Sequence, residues 1–215
     1  HVTLFKTYVP TTKDGLIQYL SSDLFYGIGK KTAKRIVDQL GQDAVRRILE
    51  DPSVLSKIPK LNKKTIDRFV NTLKENQGIE HVVVYLTKYG ISMHLAQKMY
   101  DLFGEETIEQ LKQDPYQFVF EIDGFNFHTA DELAKVNGLT DHPSRVGAGC
   151  VYILEKNLSN GHVYLPLSHL MNDLKTLLAP TNITEEFVME QLETLNKEKK
   201  IIVIDGKAYL PSLYY

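Results

Sequence analysis

Cysteine occurs once in this chain, at Cys150, and tryptophan is absent. One thiol can close no internal disulfide and build no cysteine-based metal cage, so a reducing cytoplasm is the default setting. No apolar run is long enough to span a bilayer, and no signal-peptide pattern opens the chain. A metal-ligand spacing is missing too. The histidines at 1, 81, 94, 128, 142, 162 and 169 form none, and no nucleophile–base set accompanies them. Glu105-Glu106 and Glu185-Glu186 read as ordinary first-turn acids, favourable to their helices. What remains is 215 residues, 43% of them hydrophobic, enough for one or two domains with real cores.

A large excess of one charge is also lacking, but the balance is uneven. Residues 1–75 hold 14 Lys and Arg against 8 Asp and Glu, whereas the remainder holds 11 against 19. Any phosphate-binding surface belongs in the first third.

That third contains the stretch around which the chain is organised, Asp23 to Val37. It reads as the end of one helix, a tight Gly27-Ile28-Gly29 turn and the start of a second helix, with Ala33, Ile36, Val37 and Leu40 at helical spacing. The glycines allow a sharp turn whose amides point outward together, and the helix start adds unpaired N–H groups and a positive dipole end. An anion fits there. Lys30 and Lys31 oppose the dipole by about 0.3–1 kcal/mol each, a cost consistent with keeping them for a phosphate. A P-loop is excluded, because Leu24 takes its first glycine position and Lys31 follows Lys30. A dinucleotide fingerprint is excluded by Thr32 and by the helical character of Gly15 to Leu20. The competing reading is a plain helical corner with a solvated lysine face.

In chain order, Asp14 to Ser22 and Thr32 to Leu40 form the first hairpin, Gly41 stops it, and Asp43 caps a short helix through Leu49. Ser56 to Phe69 looks like a second hairpin without glycines, its helix capped by Asn62 and started by Lys63 and Lys64. A shift of 63 residues then brings Gly27-Ile28 onto Gly90-Ile91, Ala33 onto Ala96, Gly41 onto Gly104 and Asp51-Pro52 onto Asp114-Pro115. A shift of 64 brings Ile58 onto Ile122, Asn62 onto Asn126, Thr65 onto Thr129 and Asp67 onto Asp131. The chain therefore holds four hairpins in two tandem pairs, turning near Gly27, Lys60, Gly90 and Gly124. The second pair has Met93 and His94, then Phe127 and His128, where the first has lysines. A structural or protein-facing role suits it better, and Phe125 and Phe127 read as core or interface residues.

After Asp141-His142-Pro143 the pattern changes. Val146–Leu158 reads as a helix, Gly161–Pro166 as a strand, Leu167–Leu178 and Thr184–Lys199 as helices, and Ile201–Leu210 as a hairpin around Asp205-Gly206. This is the winged-helix order. Its third helix, the usual groove reader, carries Glu185, Glu186, Glu190 and Glu193, which disfavours DNA reading. The expected fold is mainly α: tandem duplicated helix-hairpin-helix pairs, then a winged-helix-like domain with a small β-hairpin. The expected domains are a β tail over residues 1–10, hairpin pairs over 11–76 and 77–140, and the winged-helix-like part over 141–215. His1 to Val9 looks like a strand without a partner hairpin, so the chain is expected to begin part-way through a longer parent.

Tyr19 to Ala33, Ile122-Asp123-Gly124-Phe125, Ala130 to Ala134 and Gly161 to Pro166 closely resemble the stand-alone RecD-like ATP-dependent DNA helicases. The resemblance implies a superfamily-1, 5′ to 3′ helicase using ATP and Mg²⁺, with this region between a barrel-like domain and the first motor domain. It implies no catalytic residue here. It carries the helix-hairpin-helix pattern onto Gly27, Gly29, Lys30, Lys31 and Ala33, and departs from it at Lys60 and Ser92. The expected function is a non-catalytic, sequence-independent grip on DNA, single-stranded or at a junction. The partners are then DNA and the remaining helicase domains, with no membrane. The expected contacts are Gly27, Ile28, Gly29, Lys30, Lys31, Lys34, Arg35, Lys60, Lys63, Lys64 and Arg68. Gly90, Ser92, His94, Gly124, Asn126 and His128 are weaker candidates. The alternative is a protein-interaction or scaffold module that positions the motor.

Overall fold

Local capping chemistry sets several of the helix starts in the computed structural model, which describes residues 12–214. The Thr12 side chain accepts from the Gly15 amide and starts α1 (Lys13–Leu20). Helix α2 (Lys30–Leu40) follows Gly29, and Gly41 ends it with φ of 79°. Helix α3 (Ala44–Glu50) follows Asp43, whose side chain makes no capping bond and instead reaches Arg46 at 3.1 Å. A 3₁₀ turn over Pro52–Lys57 leads to α4 (Lys63–Glu75), capped by Asn62. Helices α5 (Ile79–Thr87) and α6 (Met93–Phe103) complete the third hairpin. Then come α7 (Thr107–Gln113), α8 (Gln117–Glu121) and α9 (Phe127–Asn137). The strand expected over the first nine residues lies outside the described residues.

The repeat is visible element by element. Helices α2 and α6 have 11 residues each and start 63 apart, and α3 and α7 have 7 each at the same interval. The carboxylate of Asp51 accepts from the Ser53 amide at 3.0 Å, and that of Asp114 from the Tyr116 amide at 3.0 Å. At the 64-residue shift, Asn62 accepts from the Thr65 amide at 2.8 Å and Asn126 from the Thr129 amide at 2.9 Å. The same short-range chemistry builds both copies.

The chain divides into two compact units, one ending at Ile108 and one beginning at Glu109. In the first, α1 packs on α2 and α5, α5 on α6, and α3 on α2 and α4. Its core holds Leu16, Tyr19, Leu20, Phe25, Ile36, Ile48, Leu55, Phe69, Val83 and Leu86. Phe25 lies edge-on to both Tyr19 and Phe69, each at 5.1 Å, and ties the first turn to α4.

In the second unit, α10 (Ser144–Ser159) is the central helix, packed against α8, α9, α11 (Leu167–Leu177) and α12 (Glu185–Lys197). Strands β1 (Leu165–Pro166), β2 (Ile202–Ile204) and β3 (Lys207–Tyr209) form an antiparallel sheet in the order β1-β3-β2, with Leu165 opposite Ala208 and Val203 also opposite Ala208. The β2–β3 turn holds Asp205 at φ 50° and Gly206 at φ 69°, the geometry an Asp-Gly hairpin favours. A short α13 (Pro211–Tyr214) ends the described chain. Helix, strand, helix, helix, hairpin is the winged-helix order, though the first strand is two residues long against the six expected. The fold is mainly helical with one small three-stranded sheet.

A buried polar network anchors α9 to α10. Arg145 donates to both carboxylate oxygens of Asp131 at 2.8 and 3.2 Å, and the Tyr116 hydroxyl donates to Asp131 at 2.7 Å. Arg145 also donates to the Leu178 carbonyl and the Thr181 hydroxyl. Burial alone would raise the Asp131 carboxyl, but the hydrogen bonds from Arg145 and Tyr116 outweigh it and hold the group below the usual carboxylate range.

Candidate nucleic-acid interface

All four hairpin turns share one backbone device. The residue two places before each N-cap adopts a left-handed conformation: Gly27 at φ 87°, Lys60 at 71°, Gly90 at 75° and Gly124 at 93°. Lys60 thus keeps the shape of the turn without being glycine, at a cost of about 1–2 kcal/mol. The next residue points inward. Ile28, Ile91 and Phe125 are buried, and Leu61 is half-buried. The sequence Gly-Ile-Gly therefore separates into three jobs, and only its first glycine has a conformation that is costly for other residues.

The N-caps differ. Asn62, Ser92 and Asn126 each place a side-chain oxygen on an amide of the helix they start. Gly29 has no side chain to do so, and α2 begins with no side-chain cap. Of the four, only the first has no side chain over its leading amides; its Thr32 amide bonds the Gly29 carbonyl at 3.0 Å instead. Gly29 itself has an ordinary extended conformation, and a Cβ there would meet nothing within 4 Å.

Cations surround this opening. Lys30, Lys31, Lys34, Arg35, Lys60, Lys63, Lys64 and Arg68 are all exposed. Among the described residues none of the eight has a carboxylate within ion-pair distance, whereas Arg46, Lys135, Arg145, Lys175 and Lys200 do. The two basic hairpins are neighbours. A Cβ on Gly27 would lie 3.6 Å from the Thr65 methyl in the first turn of α4, and the Arg68 guanidinium lies 5.2 Å from the Tyr26 ring centre. Tyr26 is 78% exposed, the most exposed large hydrophobic residue among those described. Sequence reasoning did not single it out, yet a signal was present. Two consecutive aromatics in a turn cannot both enter the core, and Phe25 does.

The weaker candidates have other occupations. Ser92 and Asn126 are engaged as caps. His128 lies 3.0 Å from the Tyr152 hydroxyl and edge-on to its ring. Gly90, Ser92 and His94 line an open groove of about 800 Å³ in the first unit, opposite Ser22, Asp23 and Leu24. Phe125 and Phe127 are core residues, 3% and 1% exposed.

The helical hairpins and their turn geometry define a helix-hairpin-helix protein. Residues 75–164 match the family model described as the ATP-dependent RecD2 DNA helicase HHH domain. The match takes in the turns at Gly90 and Gly124. It ends before the winged-helix-like hairpin and begins after the basic turns at Gly27 and Lys60. The chain thus carries a helix-hairpin-helix region of the kind found in those helicases, with the DNA-binding role that region suggests.

The sequence has no P-loop, and among the described residues no group of three or more His, Cys, Asp or Glu is placed to hold a metal. Among the same residues, no helix is long and apolar enough to cross a membrane.

Proposed function

We propose that this chain is a non-catalytic DNA-backbone-binding segment of an ATP-dependent 5′ to 3′ DNA helicase, and that its contact surface is the first two hairpins. One observation carries the reading. Eight exposed cations, without carboxylate partners among the described residues, flank two neighbouring turns, one of which starts a helix with no side-chain cap. Backbone amides and lysines recognise phosphate without reading bases, so binding is indifferent to sequence. ATP and Mg²⁺ serve the parent enzyme's motor domains, which are also this segment's protein partners. In this reading residues 11–76 form the gripping pair, 77–140 a supporting pair and 141–215 a winged-helix-like spacer. The exposed Glu185, Glu186, Glu190 and Glu193 of α12 suit the spacer role, because they repel phosphate.

The test is a low-salt titration of the 215-residue chain with single- and double-stranded DNA. Two clamps neutralise about two to four phosphates, so log K falls with log salt at a slope of roughly −2 to −4 on duplex. Lys30→Glu with Lys31→Glu leaves the fold intact and removes most of the affinity. A chain that binds neither form of DNA at low salt is a scaffold or protein-contact module instead.

A further inference from the structure

Tyr26 occupies an unusual position for an aromatic side chain. It sits at the tip of the first hairpin, one residue before the left-handed Gly27, while its neighbour Phe25 fills the core. Its ring is 78% exposed, with the Arg68 guanidinium 5.2 Å from its centre. At that exposure at most one ring face is covered, and the other is open. Arg68 has no carboxylate partner among the described residues. It therefore holds the ring from one side while adding a positive charge beside it.

From this we propose that Tyr26 is a stacking platform for an unpaired nucleobase, and that the Tyr26–Arg68 pair gives the first hairpin a preference for single-stranded DNA. The inference rests on the backbone-binding reading above and adds the strand class. Bases within a duplex already stack on their neighbours and offer no free face. An unpaired base offers one, and base–aromatic stacking tolerates any base, matching a grip that does not read sequence. The cations then serve the phosphates of the same strand. Lys30 and Lys31 start α2 directly after the turn, and Lys63 and Lys64 start α4, whose first turn lies against Gly27. A ring presented one residue before the first of two lysine-bearing helix starts, with Arg68 of the second over it, is placed to receive the base of a strand whose phosphates they hold.

The test uses the 215-residue chain and a single-stranded oligonucleotide containing 2-aminopurine, whose fluorescence falls when it stacks on an aromatic ring, with a duplex of equal length as reference. Wild type quenches the probe. Tyr26→Ala abolishes the quenching and lowers single-strand affinity by roughly 5- to 100-fold, more than it lowers duplex affinity. Tyr26→Phe keeps both signals, since the ring and not the hydroxyl does the stacking. Unchanged quenching and an unchanged ratio of single-strand to duplex affinity in Tyr26→Ala would overturn the platform. If that result comes with loss of binding in the Lys30→Glu, Lys31→Glu variant, the phosphate grip stands and only the stacking fails. Wild type that binds no DNA overturns both.

Discussion

Gly27 and Gly29, two residues apart, have different physical reasons to be glycine. Gly27 sits at φ 87°, where a β-branched side chain is strained, so Gly27→Val is expected to cost at least about 1–2 kcal/mol in denaturant unfolding. Gly29 is extended and unobstructed, and a serine there would cap α2 as Ser92 caps α6. Gly29→Ser is therefore expected to stabilise the chain by a few tenths of a kcal/mol. It is also expected to weaken DNA binding, because the new side chain stands over the helix start that a phosphate would approach. Stability rising while affinity falls is the signature, read by urea melts and DNA titration on the same sample. Equal or higher affinity in Gly29→Ser would mean the open cap plays no part. Cys150 is a quieter case. Burial pushes its thiol up to about 12, so it stays protonated and inert in the folded state, and its place is in the core.

At the scale of elements, the join between α9 and α10 rests on Asp131, Arg145 and Tyr116. Asp131 and Arg145 are 8% and 7% exposed, so removing one partner strands the other's charge out of water. Asp131→Asn is expected to cost about 3–5 kcal/mol. The sign of the pH effect follows from the Asp131 carboxyl being held below its usual range. Its stabilising contribution is full above the unfolded-state value of about 4 and disappears as pH falls through the lower folded value. Melting temperature followed from pH 6 to pH 2 is expected to drop more steeply in wild type than in Asp131→Asn. Parallel curves would show that the pair contributes no pH dependence. The alignment at 64 residues put Asp131 opposite Asp67, which is exposed. The same position in the two copies serves different surroundings, and the repeat alone could not tell which copy buries its carboxylate.

Across the whole molecule the charge is divided along with the structure. The unit ending at Ile108 carries 16 Lys and Arg against 12 Asp and Glu, and the unit from Glu109 carries 9 against 15. Only the first favours approach to DNA. Within it, Met93 and His94 occupy the helix start that Lys30 and Lys31 occupy 63 residues earlier, but their helix is already capped by Ser92. Met93→Glu with His94→Glu is accordingly expected to change DNA affinity by less than about twofold, a change within the noise of surface electrostatics at moderate salt. The Lys30→Glu, Lys31→Glu pair is expected to abolish most of it. Equal losses in the two double variants would move the interface away from the first hairpin.

Several helix caps and stops, the 63- and 64-residue repeat and the winged-helix order were legible in the sequence, whereas the first helix ends at Leu20 and not Ser22, and the second starts at Lys30 and not Thr32. The legible features depend on residues within a few positions of one another: a cap and the amide three residues on, a glycine after the last turn, an Asp-Gly between two strands. The first strand of the wing was read too long, because strand length depends on a partner, and β3 offers pairing only to Leu165 and Pro166. Individual cations could be picked out as candidates, but their grouping could not. It took Phe25 packing on Phe69 to lay the first turn against α4, and with that contact came Arg68 over Tyr26. Local chemistry determined what each hairpin is. Which turns share a surface, and which aromatic is left in solvent, was decided by burial of side chains more than 40 residues apart in sequence, which no local pattern records.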